Sequence, residues 1–165
     1  KAPMGKYGVM GNHDHWESAQ LTRACMEKAG IKPMDNSSQW IYRKDQRIKL
    51  GGVGDYWEDE QMIDSTIHDV TENDFVLLLS HNPDFVETMK TKKVDMVLSG
   101  HTHGGQVTLF GLWGPFTPSN YGEKYRTGLI ETDYTKVLVS NGIGNVGYYP
   151  VRFFAWPQIH LITLK

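Results

Sequence analysis

The chain has 165 residues, 39% of them apolar, and its 17 Lys and Arg against 19 Asp and Glu give a formal net charge of −2, which suits one ordinary globular domain with a core of its own. That balance excludes a strongly basic nucleic-acid binder: only Lys90, Lys92 and Lys93 group together, and they read as cations complementing a helix C-terminus. Cys25 is the single cysteine, so an internal disulfide and a thiolate metal cage are excluded, and its place in a helical pattern makes it a packing residue.

In chain order, Pro3 to Gly5 is a turn, and Lys6 to Met10 a short buried strand that empties into Gly11-Asn12-His13-Asp14-His15. Asp14 is placed to cap a helix, with Glu17 three residues on as in a capping box. From Trp16, the residues Leu21, Ala24, Cys25 and Ala29 recur at helical spacing, and Gly30 closes the helix. Ile31 to Asp35 returns to the sheet and Asn36-Ser37-Ser38 turns. Trp40 to Tyr42 and Ile48 to Val53 then form a hairpin about Arg43-Lys44-Asp45-Gln46.

Met62, Ile63, Ile67 and Val70 mark a short amphipathic helix. The apolar run Phe75 to Leu79 predicts a central strand covered on both faces. It empties into Ser80-His81-Asn82-Pro83-Asp84, where Asn82 suits an N-cap, Pro83 the first helical position and Asp84 the first turn of a helix to about Thr91. Val94 to Leu98 is the next central strand and Gln106 to Phe110 another, followed by a long loop from Gly111 to Gly122. Tyr125 to Glu131, Lys136 to Ser140 and Ile159 to Leu164 are three closing strands with no helix between them. The first half therefore reads as α/β units and the second as antiparallel sheet.

Chemistry concentrates where hydrophobic strands end. Ser99-Gly100-His101-Thr102-His103-Gly104-Gly105-Gln106 carries two imidazoles two residues apart, which face one way if the backbone stays extended, with Thr102 between them on the other side. With the loops at His13 and His81, this makes three His-bearing turns past strand C-termini, where open α/β sheets hold their ligands. The Gly-rich turn Asn141 to Asn145 is placed to approach the same region. His15 reads as a rim residue, and His68 and His160 as structural or solvated. Trp113, Phe116 and Tyr121 in the long loop either cover the core or form an apolar wall for a lipid-linked or membrane-surface substrate.

Gly-Asn-His-Asp, then an isolated His after a strand, then Gly-His-Thr-His, in this order and spacing, resembles the later motifs of the calcineurin-like metallophosphoesterases. Gly104-Gly105-Gln106, the loop Pro118-Ser119-Asn120-Tyr121-Gly122 and the ending from Arg152-Phe153-Phe154 to Leu164 are similar to its bacterial branch of membrane-associated phosphohydrolases or phosphodiesterases. The resemblance covers essentially the whole chain. It implies an α/β fold, a layered α/β/β/α sandwich, of which residues 1–165 form a single domain that is the C-terminal portion, with mixed and antiparallel sheet. The implied activity is hydrolysis of a phosphomonoester or phosphodiester by attack of a metal-bound hydroxide at a centre of two divalent ions, for which Mn, Fe or Zn suits nitrogen and oxygen ligands. Asn12, His81 and His101 match the ligands of one ion and His103 a ligand of the other. His13 matches the residue that contacts the phosphoryl oxygen and protonates the leaving group, with Asp14 either holding its ring or serving only as the helix cap. The resemblance also suggests a membrane-associated or cell-envelope location, although no stretch approaches the roughly 18 apolar residues of a membrane span.

The sequence departs from the family pattern at its start. The motifs Asp-x-His and Gly-Asp-x-x-Asp, which supply the bridging carboxylate and most ligands of the other ion, belong before Gly-Asn-His-Asp, where only ten residues stand. The expectation is therefore that an N-terminal segment of the same domain lies outside this sequence, and that this chain alone binds one ion tightly at most and is weakly active or inactive. Gly54-Asp55-Tyr56-Trp57-Glu58-Asp59 imitates the second motif in the wrong order, and Asp55 reads as a strand-end residue near the site. The alternative function is a metal-binding or interaction module without turnover. A mononuclear zinc hydrolase has no His-Glu-x-x-His signature to support it.

Overall fold

Lys44 turns the chain with a φ of 56°, and on either side of it β3 (Ser37–Arg43) and β4 (Gln46–Gly52) pair antiparallel in the computed structural model, which describes residues 2–147 and 151–164. β5 (Phe75–Leu79) adds parallel to β4, β6 (Met96–Ser99) parallel to β5, and β8 (Lys136–Val139) parallel to β6. β7 (Gly128–Glu131) closes the far edge antiparallel to β8. The result is a six-stranded mixed sheet of order β3-β4-β5-β6-β8-β7. A separate two-stranded parallel pair joins β1 (Tyr7–Gly8) to β2 (Lys32–Pro33) through α1 (Asn12–Lys28). Because β4, β5 and β6 run parallel, the loops that follow them leave the sheet at one edge.

Burial alternates along the strands with the period of the pleat. Val76 and Leu78 of β5, Val97 of β6 and Val137 and Val139 of β8 are fully enclosed, with Phe85, Val86 and Met89 of α3 (Phe85–Met89) and Tyr125 packed against them. Each enclosed valine contributes on the order of 1.5 kcal/mol or more. Their neighbours Leu77, Leu79 and Leu98 are only half-buried, so the expectation of central strands covered on both faces is corrected: one face holds the core. Tyr125 reaches the core from the long loop, and Arg126 holds that loop by donating to the carbonyls of Gly104, Gly111 and Leu112 while pairing with Glu123 at 2.8 Å.

Other expectations change as well. α1 begins at Asn12 with Gly11 as N-cap, and Leu21 and Cys25 on it are exposed, so Cys25 is not a packing residue. The amphipathic stretch after Met62 reduces to one turn, α2 (Asp64–Ile67), and α3 starts after Asp84 and ends at Met89, so only Lys90 of the three lysines sits at its C-terminus. Gln106 to Phe110 is not a strand: Gln106 and Phe110 take φ of 54° and 52°, which breaks a ladder at both ends. Ile159 to Leu164 pairs with no strand among the described residues, and its apolar side chains stay exposed. The second half is not purely antiparallel either, since β8 lies parallel to β6. Among the described residues, no helix is long and apolar enough to cross a membrane.

Candidate metal centre

The residues at the ends of β5 and β6 are tied to one another: the Gly100 amide donates to the His81 carbonyl at 3.0 Å, and the Ser80 amide to the Leu98 carbonyl at 3.1 Å. Facing them, α1 opens with Asn12 at its first position. Asp14 takes the Gly11 amide on Oδ2 at 2.8 Å, so the carboxylate closes the helix start from inside the first turn. Gly11 is required by contact, because a Cβ there would stand 2.5 Å from His81 Nε2. The Asp35 carboxylate, accepting the Met10 amide at 2.9 Å, fixes the chain just before it.

Three donor atoms converge. His81 Nε2 lies 3.2 Å from Asn12 Oδ1 and 3.3 Å from His101 Nδ1. Burial pushes His81 down to about 4, against the pull of Asp14, and pushes His101 down to about 4 with help from the neighbouring His81 ring. Both imidazoles are neutral at pH 7, with lone pairs free to bind a cation. His103 is also held below the ordinary histidine range, first by burial and then by the Arg152 guanidinium.

The two rings of the Gly-His-Thr-His segment do not reach the site by strand alternation. His101 and His103 take φ of 65° and 51°, Thr102 is in the right-handed region, and His103–Gly105 is a 3-10 turn. Thr102 is buried and donates to the Arg126 carbonyl at 2.8 Å. A left-handed, turn, left-handed backbone thus places the two rings where an extended one was expected. Gly104, at φ 66°, has Asn141 where a Cβ would project, which seats the Asn141 turn on this loop.

Asn12, His13, Asp14, His81, His101 and His103 all line one open cavity of about 520 Å³, together with Trp16, Trp57, Phe116, Pro118, Asn145 and Val146. Within it, Asn12, His81 and His101 form the tight cluster and His103 stands apart. His13 is exposed at the mouth, its ring 4.5 Å from Trp16. Among the described residues, Asp14 makes no hydrogen bond to His13; its contact is the helix-start amide. Trp113 and Tyr121 do not line the cavity; Trp113 is 53% and Phe116 72% exposed, so these two do not cover the core, whereas Tyr121 meets the core residue Tyr125 edge-on at 5.9 Å. His68 ends α2 on the surface and His160 is exposed.

A sequence model of the calcineurin-like phosphoesterases matches residues 2–105 of this chain, the span that carries these donors up to the 3-10 turn. The chain belongs to the calcineurin-like phosphoesterase family. It is similar to the metallophosphoesterase YkuE of Bacillus subtilis, 32% identical over 99% of this chain and 57% of that protein. It is similar also to the phosphodiesterase YaeI of Escherichia coli, 29% identical over 96% of this chain and 57% of that one, and to a transmembrane protein with a metallophosphoesterase domain of Danio rerio, 28% identical over 100% and 40%. The chain thus spans little more than half the length of the bacterial relatives it matches. No solved structure matches it.

Calcineurin-like phosphoesterases use divalent metals, and the donors present fit one ion. Ligand atoms 2.0–2.1 Å from a common tetrahedral ion stand about 3.3 Å apart, which is the spacing of His81 Nε2 from Asn12 Oδ1 and from His101 Nδ1. Among the described residues, no group of three or more His, Cys, Asp or Glu side chains closes around a point, and the third oxygen or nitrogen beside the two rings is the Asn12 amide oxygen.

From the sequence alone, Trp57 and Arg152 have no task at this calcineurin-like site, and Asp84 stands only in the first turn of a helix. Trp57 meets the His101 ring edge-on at 4.4 Å. Arg152 donates to the His103 carbonyl at 3.1 Å and to Asn141 at 2.7 Å, approaching His103 Nδ1 at 3.3 Å. Asp84, fully buried, receives the Ser119 hydroxyl and the Asn120 amide and anchors the loop that carries Pro118 to the cavity. A buried Asp flanking a Pro-Ser-Asn loop leaves no periodic trace in sequence.

Proposed function

We propose that this chain carries one half of the active site of a metal-dependent phosphoric ester hydrolase acting on a phosphomonoester or phosphodiester. The observation that supports it is the convergence of Asn12 Oδ1 and His101 Nδ1 on His81 Nε2, at 3.2 Å and 3.3 Å, with both rings neutral. Asn12, His81 and His101 would hold one divalent ion and His103 would contribute to a second, the remaining carboxylate ligands coming from outside these residues. Bound ions in such a pair supply charge neutralisation at the phosphoryl oxygens and a water acidified to near-neutral pKa. His13, at the cavity mouth, donates a proton to the departing ester oxygen, and Trp16 backs its ring. Arg152 steadies the His103 loop through the His103 and Asn141 carbonyls.

The ester group is read as apolar and lipid-linked. Phe116, Pro118 and Val146 line the cavity with apolar surface, and the same loop carries the exposed Leu109, Leu112 and Trp113. From Gly104 to Gly122 the chain carries no charged side chain, so an acyl group resting there would strip no charge of water.

Two measurements test the reading. Calorimetric titration of the chain with zinc or manganese should give one tight site, lost in H81A and in H101A; two equivalent high-affinity sites would contradict it. Fusing the chain to the part of a full-length relative that lies outside the matched region should raise hydrolysis of nitrophenyl phosphoesters well above that of the chain alone. A fusion that binds metal and turns over nothing would favour a metal-binding module instead.

A further inference from the structure

Asp55 has no task in the reading above, yet it lies beside the centre. It follows the end of β4 and is 1% exposed. Its Oδ1 accepts the Trp57 amide at 3.0 Å, while its Oδ2 is buried without a partner. Two ring nitrogens share that condition, His101 Nε2 and His15 Nε2. Asp55 and His101 are joined through one residue: the Trp57 amide donates to Asp55 Oδ1, and the Trp57 ring meets His101 edge-on at 4.4 Å. A carboxylate oxygen and an imidazole N–H that are each withdrawn from water both require a partner.

We propose that Asp55 is a positioning residue for His101: its unpartnered oxygen accepts, through one bound water, the hydrogen bond that His101 Nε2–H donates, and so keeps Nδ1 bare toward His81 Nε2. His15, from the first turn of α1, presents a second unpartnered ring nitrogen, and the same water-bridged carboxylate would link the helix that carries Asn12 to the loop that carries His101. The inference rests on the reading of His101 as an ion ligand. A neutral imidazole has one proton, and the partner of one nitrogen decides whether the other is free for a cation. The Pro118 carbonyl also faces the His101 ring, but a neutral carbonyl holds an N–H less strongly than a carboxylate does.

Nitrogen-15 NMR of the metal-free chain near pH 7.5, with His101 assigned through H101Q, reads the tautomer directly. The expected result is a His101 ring protonated on Nε2, shifting toward the Nδ1-protonated form in D55N, whose zinc Kd by calorimetry rises about ten- to hundredfold. A wild-type ring protonated on Nδ1 overturns the proposal, and that measurement decides even if D55N does not fold. A D55N chain that keeps both the wild-type tautomer and a zinc Kd within twofold of wild type overturns it too. A wild-type chain that binds no zinc sinks the metal reading instead, while the tautomer of the metal-free ring still judges Asp55.

Discussion

His81 Nε2 and His101 Nδ1 face each other across 3.3 Å, and the structure withdraws both rings from water. Two imidazolium ions cannot occupy that gap together, so acid must work against the fold here. In the unfolded chain a histidine titrates near 6.5, while these two titrate at about 4 in the folded one. Between those values the unfolded chain binds more protons, so stability is complete above about pH 6.5 and falls as the pH drops toward 4, by up to about 1.4 kcal/mol per pH unit per ring. Thermal melts in chelator from pH 7.5 to 4 should show the decline, and H81Q should make it shallower. A melting temperature flat across that window would contradict the burial of the pair.

Gly11→Ala should disturb the centre without disturbing the helix. The Gly11 backbone, at φ −110°, accepts any residue, so the penalty comes from the methyl group, which would stand 2.5 Å from His81 Nε2. The ring must move, at an overpacking cost of about 1–3 kcal/mol. Circular dichroism should be unchanged and zinc affinity at least tenfold weaker. An unaltered zinc titration would mean that His81 does not sit against Gly11.

Asp84→Ala should release the loop that brings Pro118 to the cavity. Asp84 is fully buried, and its two oxygens receive the Ser119 hydroxyl at 2.5 Å and the Asn120 amide at 2.7 Å. Hydrogen bonds to a charged group contribute about 1.5–3 kcal/mol each, so a loss of roughly 3 kcal/mol is expected in urea unfolding. Faster hydrogen exchange of the Asn120 amide should accompany it. Protection of that amide in D84A as in wild type would show that another group holds the loop.

The parts of this fold that were legible in sequence are those fixed by local pattern. Phe75 to Leu79 and Val94 to Leu98 announce strands because short runs made almost wholly of apolar residues belong against a core, and Lys44-Asp45 announces a hairpin because a short polar turn separates two strand-like runs. What was not legible depends on partners. Ile159 to Leu164 is rich in the branched apolar residues of a strand and stays unpaired among the described residues, because a strand exists only against another edge. Leu21 and Cys25 keep helical spacing and lie exposed, because spacing says where a side chain points and not what it meets. At the site, the three His-bearing turns could be read from the strands that end there. The left-handed backbone at His101 and His103 could not, since neither residue favours it and only the surrounding loop imposes it.

The three converging oxygen and nitrogen atoms are mounted on two separate pieces of the chain. His81 and His101 ride together at the lip of the six-stranded sheet, joined by the Gly100 amide, whereas Asn12 belongs to a helix strung between the two short strands of the smaller pair. A cation seated among them would act as a clasp as well as a cofactor. Chelation would then loosen α1 and the β1–β2 pair before it touched the valine core, and the small unit would be the first to give way to a protease.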